Sequence, residues 1–252
     1  MLVPALLALL VPSGRGAGDA ERLEIRTDDG VILAAEYRPA RGVKRGSRCP
    51  AVLLLHDAGG CREDLSALAK DLTYRQIATL AIDLREHGES APAQGAAPAS
   101  AGKADNGCFL KMQYDVRAAI EQLRRRDDVD VGRLAVVGLG FGGSVGLRVA
   151  AREHGVRTAV LVSPNATDHG FDLTADLRRL EDRSLLFVTG PSQEKEAADF
   201  VQRARTGSPG ATAEVLLARA GGRSTELLQS EKRLPAQIAD WIRARFGPIE
   251  AK

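Results

Sequence analysis

The chain has 252 residues, 44% of them hydrophobic and 27% charged, with a formal net charge of +2 and a pI near 8.5. That length can bury a substantial core as one α/β domain, and the near balance of charge gives no reason to expect a nucleic-acid partner. The densest basic run, Arg124-Arg125-Arg126, meets Asp127 and Asp128 at once and reads as a solvated helix end.

Residues 1–12 are almost wholly apolar, and small residues follow to Ala20. The run is too short to span a bilayer as a helix. It suits the apolar region of a signal peptide, with Ala17 or Ala20 near a cleavage site. Residues 1–20 are therefore expected to be removed on export to the periplasm or beyond, and 21–252 to form one domain. The usual basic segment before the apolar run is missing, so an unstructured tail on a cytoplasmic protein is the alternative. No cysteine follows the run closely, which argues against a lipid anchor.

From residue 21 onward, strand and helix patterns alternate, the mark of a mainly parallel sheet. Residues 23–26 and 31–37 read as a hairpin around the Asp28-Asp29-Gly30 turn. A basic connection over 38–50 leads to a continuous apolar run at 51–56, as buried parallel strands require. A helix over 63–74 and a strand over 77–84 follow. Residues 91–107, rich in Ala, Pro and Gly, read as a mobile loop over the carboxyl edge of the sheet. The next helix, 111–126, sets Met112, Val116, Ala119, Ile120 and Leu123 on one face. A strand over 133–137 turns sharply through glycines into a helix. Then come a strand (156–162), a short helix (171–180), a strand (184–188), a helix (195–205) and the last strand (213–217). One closing helix over 226–246 carries the only tryptophan, Trp241. The expectation is an α/β fold whose central sheet has about eight strands, with helices on both faces.

Three local patterns stand in order along this framework. Leu53-Leu54-Leu55-His56-Asp57-Ala58-Gly59-Gly60 ends the third strand, and Asp83-Leu84-Arg85-Glu86-His87-Gly88-Glu89-Ser90 ends the fourth. Gly138-Leu139-Gly140-Phe141-Gly142 makes the glycine turn between strand and helix. Together they resemble the α/β-hydrolase superfamily, especially its dienelactone-hydrolase and serine-aminopeptidase-like branch, over residues 21–246. The resemblance implies the α/β-hydrolase fold. It implies neither metal nor organic cofactor, and no Cys/His cluster has the spacing of a metal site.

Serine hydrolysis needs a hydroxyl, a histidine to take its proton and a carboxylate to steady the imidazolium. The family places them in the chain order nucleophile, acid, histidine. Each place is changed here. Gly140 stands where the nucleophile belongs. Gln193 matches the acid, with Glu194 one step away. Arg223 matches the histidine, and no histidine follows His169 anywhere. Gly142-Gly143-Ser144-Val145-Gly146 also fits the nucleophile pattern, but Ser144 falls about one helical turn, about 5–6 Å, into the helix. The resemblance thus implies a degenerate triad and a pseudo-hydrolase with a binding or scaffold role. The alternative is an active hydrolase of small acyl or ester substrates that uses Ser144 with His169. A third reading is a purely structural partner, working through a sheet edge or the Ala/Pro loop.

In the family the oxyanion donors are backbone N–H groups, which survive side-chain changes. They correspond to Phe141 and to Asp57 or Ala58. Asp57 replaces the usual glycine, and its carboxylate would repel an oxyanion. Arg223 either pairs with Asp57 across the site or holds a small anionic ligand, a carboxylate or phosphate. His56 and His87 read as loop-orienting groups, His154 as a solvated helix end. Cys61 and Cys108 should both lie near the carboxyl edge and Cys49 at the opposite one. A Cys61–Cys108 bridge is the pairing export would permit, and three free thiols the alternative. Cys61 as a nucleophile has no base indicated nearby.

Overall fold

The computed structural model describes residues 20–44, 46–90, 106–153 and 155–248, so the expectations for the leader, for most of the 91–107 loop and for His154 lie outside the described residues. Strands β1 (Glu21–Arg26), β2 (Ile32–Arg38), β3 (Cys49–Leu55), β4 (Ala78–Ile82), β5 (Val129–Leu139) and β6 (Val156–Val162) come first. A two-strand ribbon, β7 (Thr167–Asp168) with β8 (Phe171–Asp172), precedes β9 (Ser184–Thr189) and β10 (Thr212–Leu217). The helices are α1 (Ser66–Tyr74), α2 (Asn106–Arg124), α3 (Phe141–Ala150), α4 (Leu173–Leu177), α5 (Glu194–Gly207), α6 (Ser224–Ser230) and α7 (Leu234–Arg245). The central sheet has eight strands in the order β1-β2-β4-β3-β5-β6-β9-β10. The pairs β1–β2 and β2–β4 are antiparallel, and every pair from β4 to β10 is parallel.

Alternation along the central strands sorts the core into two faces. Ala51, Leu53 and Leu55 of β3, with Leu134 and Val136 of β5, pack under α2 and α3. Val52 and Leu54, with Ala135, Val137 and Leu139, pack under α1, α6 and α7. Further along, Leu161, Leu185 and Phe187 meet α4 and α5 on the first face. β3 is buried along its whole length, which is why its sequence runs apolar without alternation.

The glycines around β5 and α3 have a packing reason. A Cβ on Gly142 would lie 2.3 Å from the His56 carbonyl oxygen, and one on Gly138 would lie 2.2 Å from the Gly143 nitrogen. One on Gly146 would approach Val136 Cγ1 to 2.7 Å. Gly142 and Gly146 are thus one turn apart on the face that α3 lays against the sheet. This explains why a nucleophile-like pattern surrounds Ser144.

The pattern after β4 ties loops together. Asp83, fully buried, accepts from the Arg62 backbone N–H at 2.7 Å, from the Glu89 N–H at 2.7 Å and from the Arg62 guanidinium. Ser90 Oγ donates to the Asp83 carbonyl at 2.6 Å and accepts from the Ala34 N–H at 3.0 Å. Arg85, 2% exposed, is held by Asp115 and Asp29.

Two expectations are corrected, and one left open between two alternatives is decided. The closing helix is two helices, because Pro235 lacks an N–H and sits in the first turn of α7. β5 runs to Leu139, so Gly140 follows the strand directly. None of Cys49, Cys61 and Cys108 is in a disulfide, so of the two alternatives for the cysteines the unbridged one holds. Burial pushes the Cys61 thiol up and the Cys108 thiol up to about 12, so neither is a thiolate at neutral pH.

Candidate functional site at the carboxyl edge

Gly140 forms the turn between β5 and α3 with φ 45° and ψ −114°. Its N–H donates to the Val162 carbonyl at 2.8 Å, and its carbonyl accepts from Gly143 at 3.0 Å, which pins the turn. A Cβ here would lie 2.2 Å from Asp57 Oδ2. The Asp57 carboxylate therefore fills the space directly in front of residue 140. Its Oδ1 accepts from the Phe141 N–H and from the Ala58 N–H, both at 2.8 Å. The head of α3 favours negative charge there.

His56 steadies this loop. Its Nε2 accepts from the Leu84 N–H at 3.0 Å, so Nδ1 carries the proton and donates to the Asp57 carbonyl at 2.7 Å. The ring is fully buried, and burial lowers its pKa below the usual 6.5. As pH falls through about 6.5, the unfolded chain binds a proton first, so stability present above that pH is lost below it. By NMR the His56 ring should be neutral, protonated at Nδ1, and titrate below 6.5; titration above that value would contradict the assignment. His87 Nδ1 lies 2.9 Å from the Arg85 carbonyl, and its ring is 5.1 Å from that of His56.

Ser144 and His169 are not hydrogen-bonded to each other. Ser144 is 1% exposed, and its hydroxyl has no hydrogen-bond partner among the described residues. It lies one turn into α3 where the helix packs on the sheet. His169 stacks on Phe109 at 3.7 Å and meets the edge of Phe141 at 5.4 Å, with Nε2 3.4 Å from Asp168. No Ser144–His169 dyad is assembled.

Arg223 and Asp57 do not form an ion pair. The Arg223 guanidinium donates to Asn165 Oδ1, and Asn165 Nδ2 donates to Asp168 at 3.2 Å. Burial raises the Asp168 carboxyl; the Asn165 bond and the charges of His169 and Arg223 pull it down, while the Asp57 charge pushes it up. Asp57, Asp168, His169 and Arg223 thus share one electrostatic neighbourhood. Gln193 is 6% exposed, and neither end of its amide has a partner among the described residues. Glu194 is the exposed first residue of α5, where a carboxylate complements the helix terminus. The turns carrying Gln193 and Arg223 converge: a Cβ on Gly190 would lie 3.2 Å from the Gly222 carbonyl. Among the described residues, no three His, Cys, Asp or Glu side chains gather as a metal site needs, and no helix is long and apolar enough to cross a membrane.

Asn165 and Phe109 escaped sequence reasoning, since neither belongs to a pattern. Asp115 left a signal: a carboxylate between Met112 and Val116, on the apolar face of α2.

A mainly parallel sheet whose central strand turns through a glycine elbow, with loops converging at its carboxyl edge, defines a hydrolase-type α/β protein. The chain belongs to the α/β-hydrolase family, whose model matches residues 52–246. No curated protein matches it. Among solved structures it is similar to the esterase Pf2001 of Pyrococcus furiosus (TM-score 0.70, 16% identity, 92% of each chain covered). It is also similar to acetyl xylan esterase 1 of a Thermoanaerobacterium species (0.69, 15% identity, 94% of this chain and 86% of that one). A third is Est1E of Butyrivibrio proteoclasticus with ferulic acid bound (0.67, 14% identity, 88% of this chain and 97% of that one). At these identities the likeness is one of fold.

Proposed function

We propose that this chain is a hydrolase-fold protein without serine-dependent turnover, acting as a binding or scaffold protein. The observation that carries the reading is the placement of the Asp57 carboxylate, which accepts from both Ala58 and Phe141 and fills the space in front of Gly140. The family stabilises an oxyanion with the N–H after the elbow residue and one from the loop after the third strand. Here both donors face an anion that belongs to the protein itself. Residue 140 has no side chain to attack. Arg223 offers N–H donors and no acceptor, so it cannot serve as a base. Gln193 brings no charge to steady an imidazolium. That the structural neighbours are esterases describes those proteins, since fold does not set activity.

The ligand in this reading is small and anionic. Ala58 and Phe141 are engaged by Asp57, so Arg223 is the group that would hold it. Its guanidinium is exposed and gives one bond to Asn165. The remaining N–H donors suit a carboxylate or phosphate. The reading also includes export after loss of residues 1–20.

The test is fluorophosphonate labelling of the protein recovered from its producing cells, read by intact mass, with Ser144→Ala alongside. No adduct on either protein is expected, at a mass lacking the leader. An adduct that forms on the native protein and vanishes in the variant would mean that Ser144 is a working nucleophile.

A further inference from the structure

The two edges of the sheet are built differently. β1 carries Glu21, Arg22, Glu24 and Arg26 at four of its six positions, a common guard against edge-to-edge pairing. β10 reads Thr-Ala-Glu-Val-Leu-Leu. Val215 and Leu217 are 38% and 41% exposed there, among the few exposed large hydrophobics of the described residues.

The backbone of this edge is open over a short window. Thr212 and Ala218 donate to the Arg183 and Thr189 carbonyls on the β9 side. Backbone direction alternates along a strand, so Glu214 and Leu216 also face β9, while Ala213, Val215 and Leu217 face outward. Both ends of the outward row are closed. Arg205 donates to the Ala213 carbonyl at 2.9 Å. Glu231 accepts from the Arg219 N–H at 2.7 Å and the Ala220 N–H at 3.3 Å. Val215 and Leu217 are left with outward N–H and C=O groups that no other strand or side chain of the described residues takes up.

We propose that this edge seats a second copy of the chain, with the two β10 strands antiparallel about a two-fold axis at Leu216. That register sets Val215 against Leu217 of the second copy, and the reverse. Each pair exchanges two main-chain hydrogen bonds, and the exposed apolar side chains meet on one face. Charge agrees with it. Glu214 is the only charged residue on β10, and it is bound to Arg245 and, at 3.0 Å, to Trp241 Nε1. The two-fold places it opposite Ala218 of the second copy, not opposite its own counterpart. The window also selects the occupant. A longer foreign strand would lay unpaired backbone groups against the closed ends at Ala213 and Arg219, which is unfavourable in a buried seam. A second copy brings closed ends of its own. The interface is isologous.

Sedimentation equilibrium across a wide concentration range tests this on the full mature chain. A concentration-dependent dimer is expected. Leu217→Lys puts an ammonium into the seam twice and raises the dissociation constant about tenfold or more. Val131→Lys, at a position 41% exposed outside β10, leaves it unchanged. The register has its own readout. With Cys61 and Cys108 replaced by serine, Leu216→Cys should cross-link the copies on oxidation, because directly opposed non-hydrogen-bonded residues lie about 4.5 Å apart, within disulfide range. A monomer at every concentration, a dimer indifferent to Leu217→Lys, or cross-linking no faster than with Thr212→Cys would each overturn the proposal. None of these outcomes bears on whether the Gly140 site is silent.

Discussion

Gly140→Ser is expected to destabilise the protein by about 3–5 kcal/mol and to install no activity. The new Cβ would stand 2.2 Å from Asp57 Oδ2 and 2.3 Å from Asp57 Cγ. No rotamer of the serine relieves this, because the Cβ position is fixed by the backbone. A side chain at φ 45° adds strain of about 1–3 kcal/mol. The carboxylate must leave, and its bonds to Ala58 and Phe141 go with it. Hydrogen bonds to a charged group are worth about 1.5–3 kcal/mol each.

The same geometry makes Asp57 and Gly140 interdependent. Asp57→Gly vacates the space, so Gly140→Ser should cost far less in that background. A double-mutant cycle by urea denaturation should give a coupling of about 1–3 kcal/mol. Simple additivity would show that the carboxylate does not occupy the elbow. The double variant should still fail to hydrolyse esters, because Gln193 and Arg223 supply neither acid nor base.

The layer order and the parallel sheet were legible because they rest on runs of side chains. The apolar stretch at 51–56 and the one-sided helix at 111–126 each repeat their signal over several residues. Gly140, Gln193 and Arg223 were placed by motif order alone. What the sequence hid depends on single contacts between distant segments. Asp57 was foreseen as a charge facing Arg223, yet the nearer partners are backbone N–H groups, one of them 84 residues on at the head of α3. Backbone donors leave no trace in a residue pattern. Arg223 instead found Asn165, 58 residues away in an irregular loop. The break at Pro235 was legible in principle: a proline inside a helical pattern ends one helix and is favoured in the first turn of the next.

Removing Arg85 should cost about 3–5 kcal/mol in Arg85→Met. Its backbone N–H and its Nε donate to Asp115 at 2.9 Å, its Nη2 donates there at 2.7 Å, and its other bonds reach Asp29 at 2.6 and 2.8 Å. Asp115 is fully buried, so without the guanidinium it becomes an uncompensated charge on the apolar face of α2. Burial already pushes its carboxyl up against the pull of Arg85. In the variant that pull is gone, and the folded state should take up a proton that the unfolded state releases above its ordinary value near 3.8. A raised folded pKa means that stability falls as pH rises. Thermal and urea denaturation should therefore show a smaller deficit at pH 5 than at pH 8. Asp29 behaves oppositely: Arg85 holds its carboxyl down at about 2, so its contribution is present above about 3.8 and lost as pH falls toward 2. Being a third exposed, Asp29→Asn should cost about 1 kcal/mol or less. Arg85→Lys should recover little, since a single ammonium cannot span two carboxylates with a planar fork. A deficit independent of pH in Arg85→Met would mean that lost packing, and not the stranded Asp115 charge, sets the cost.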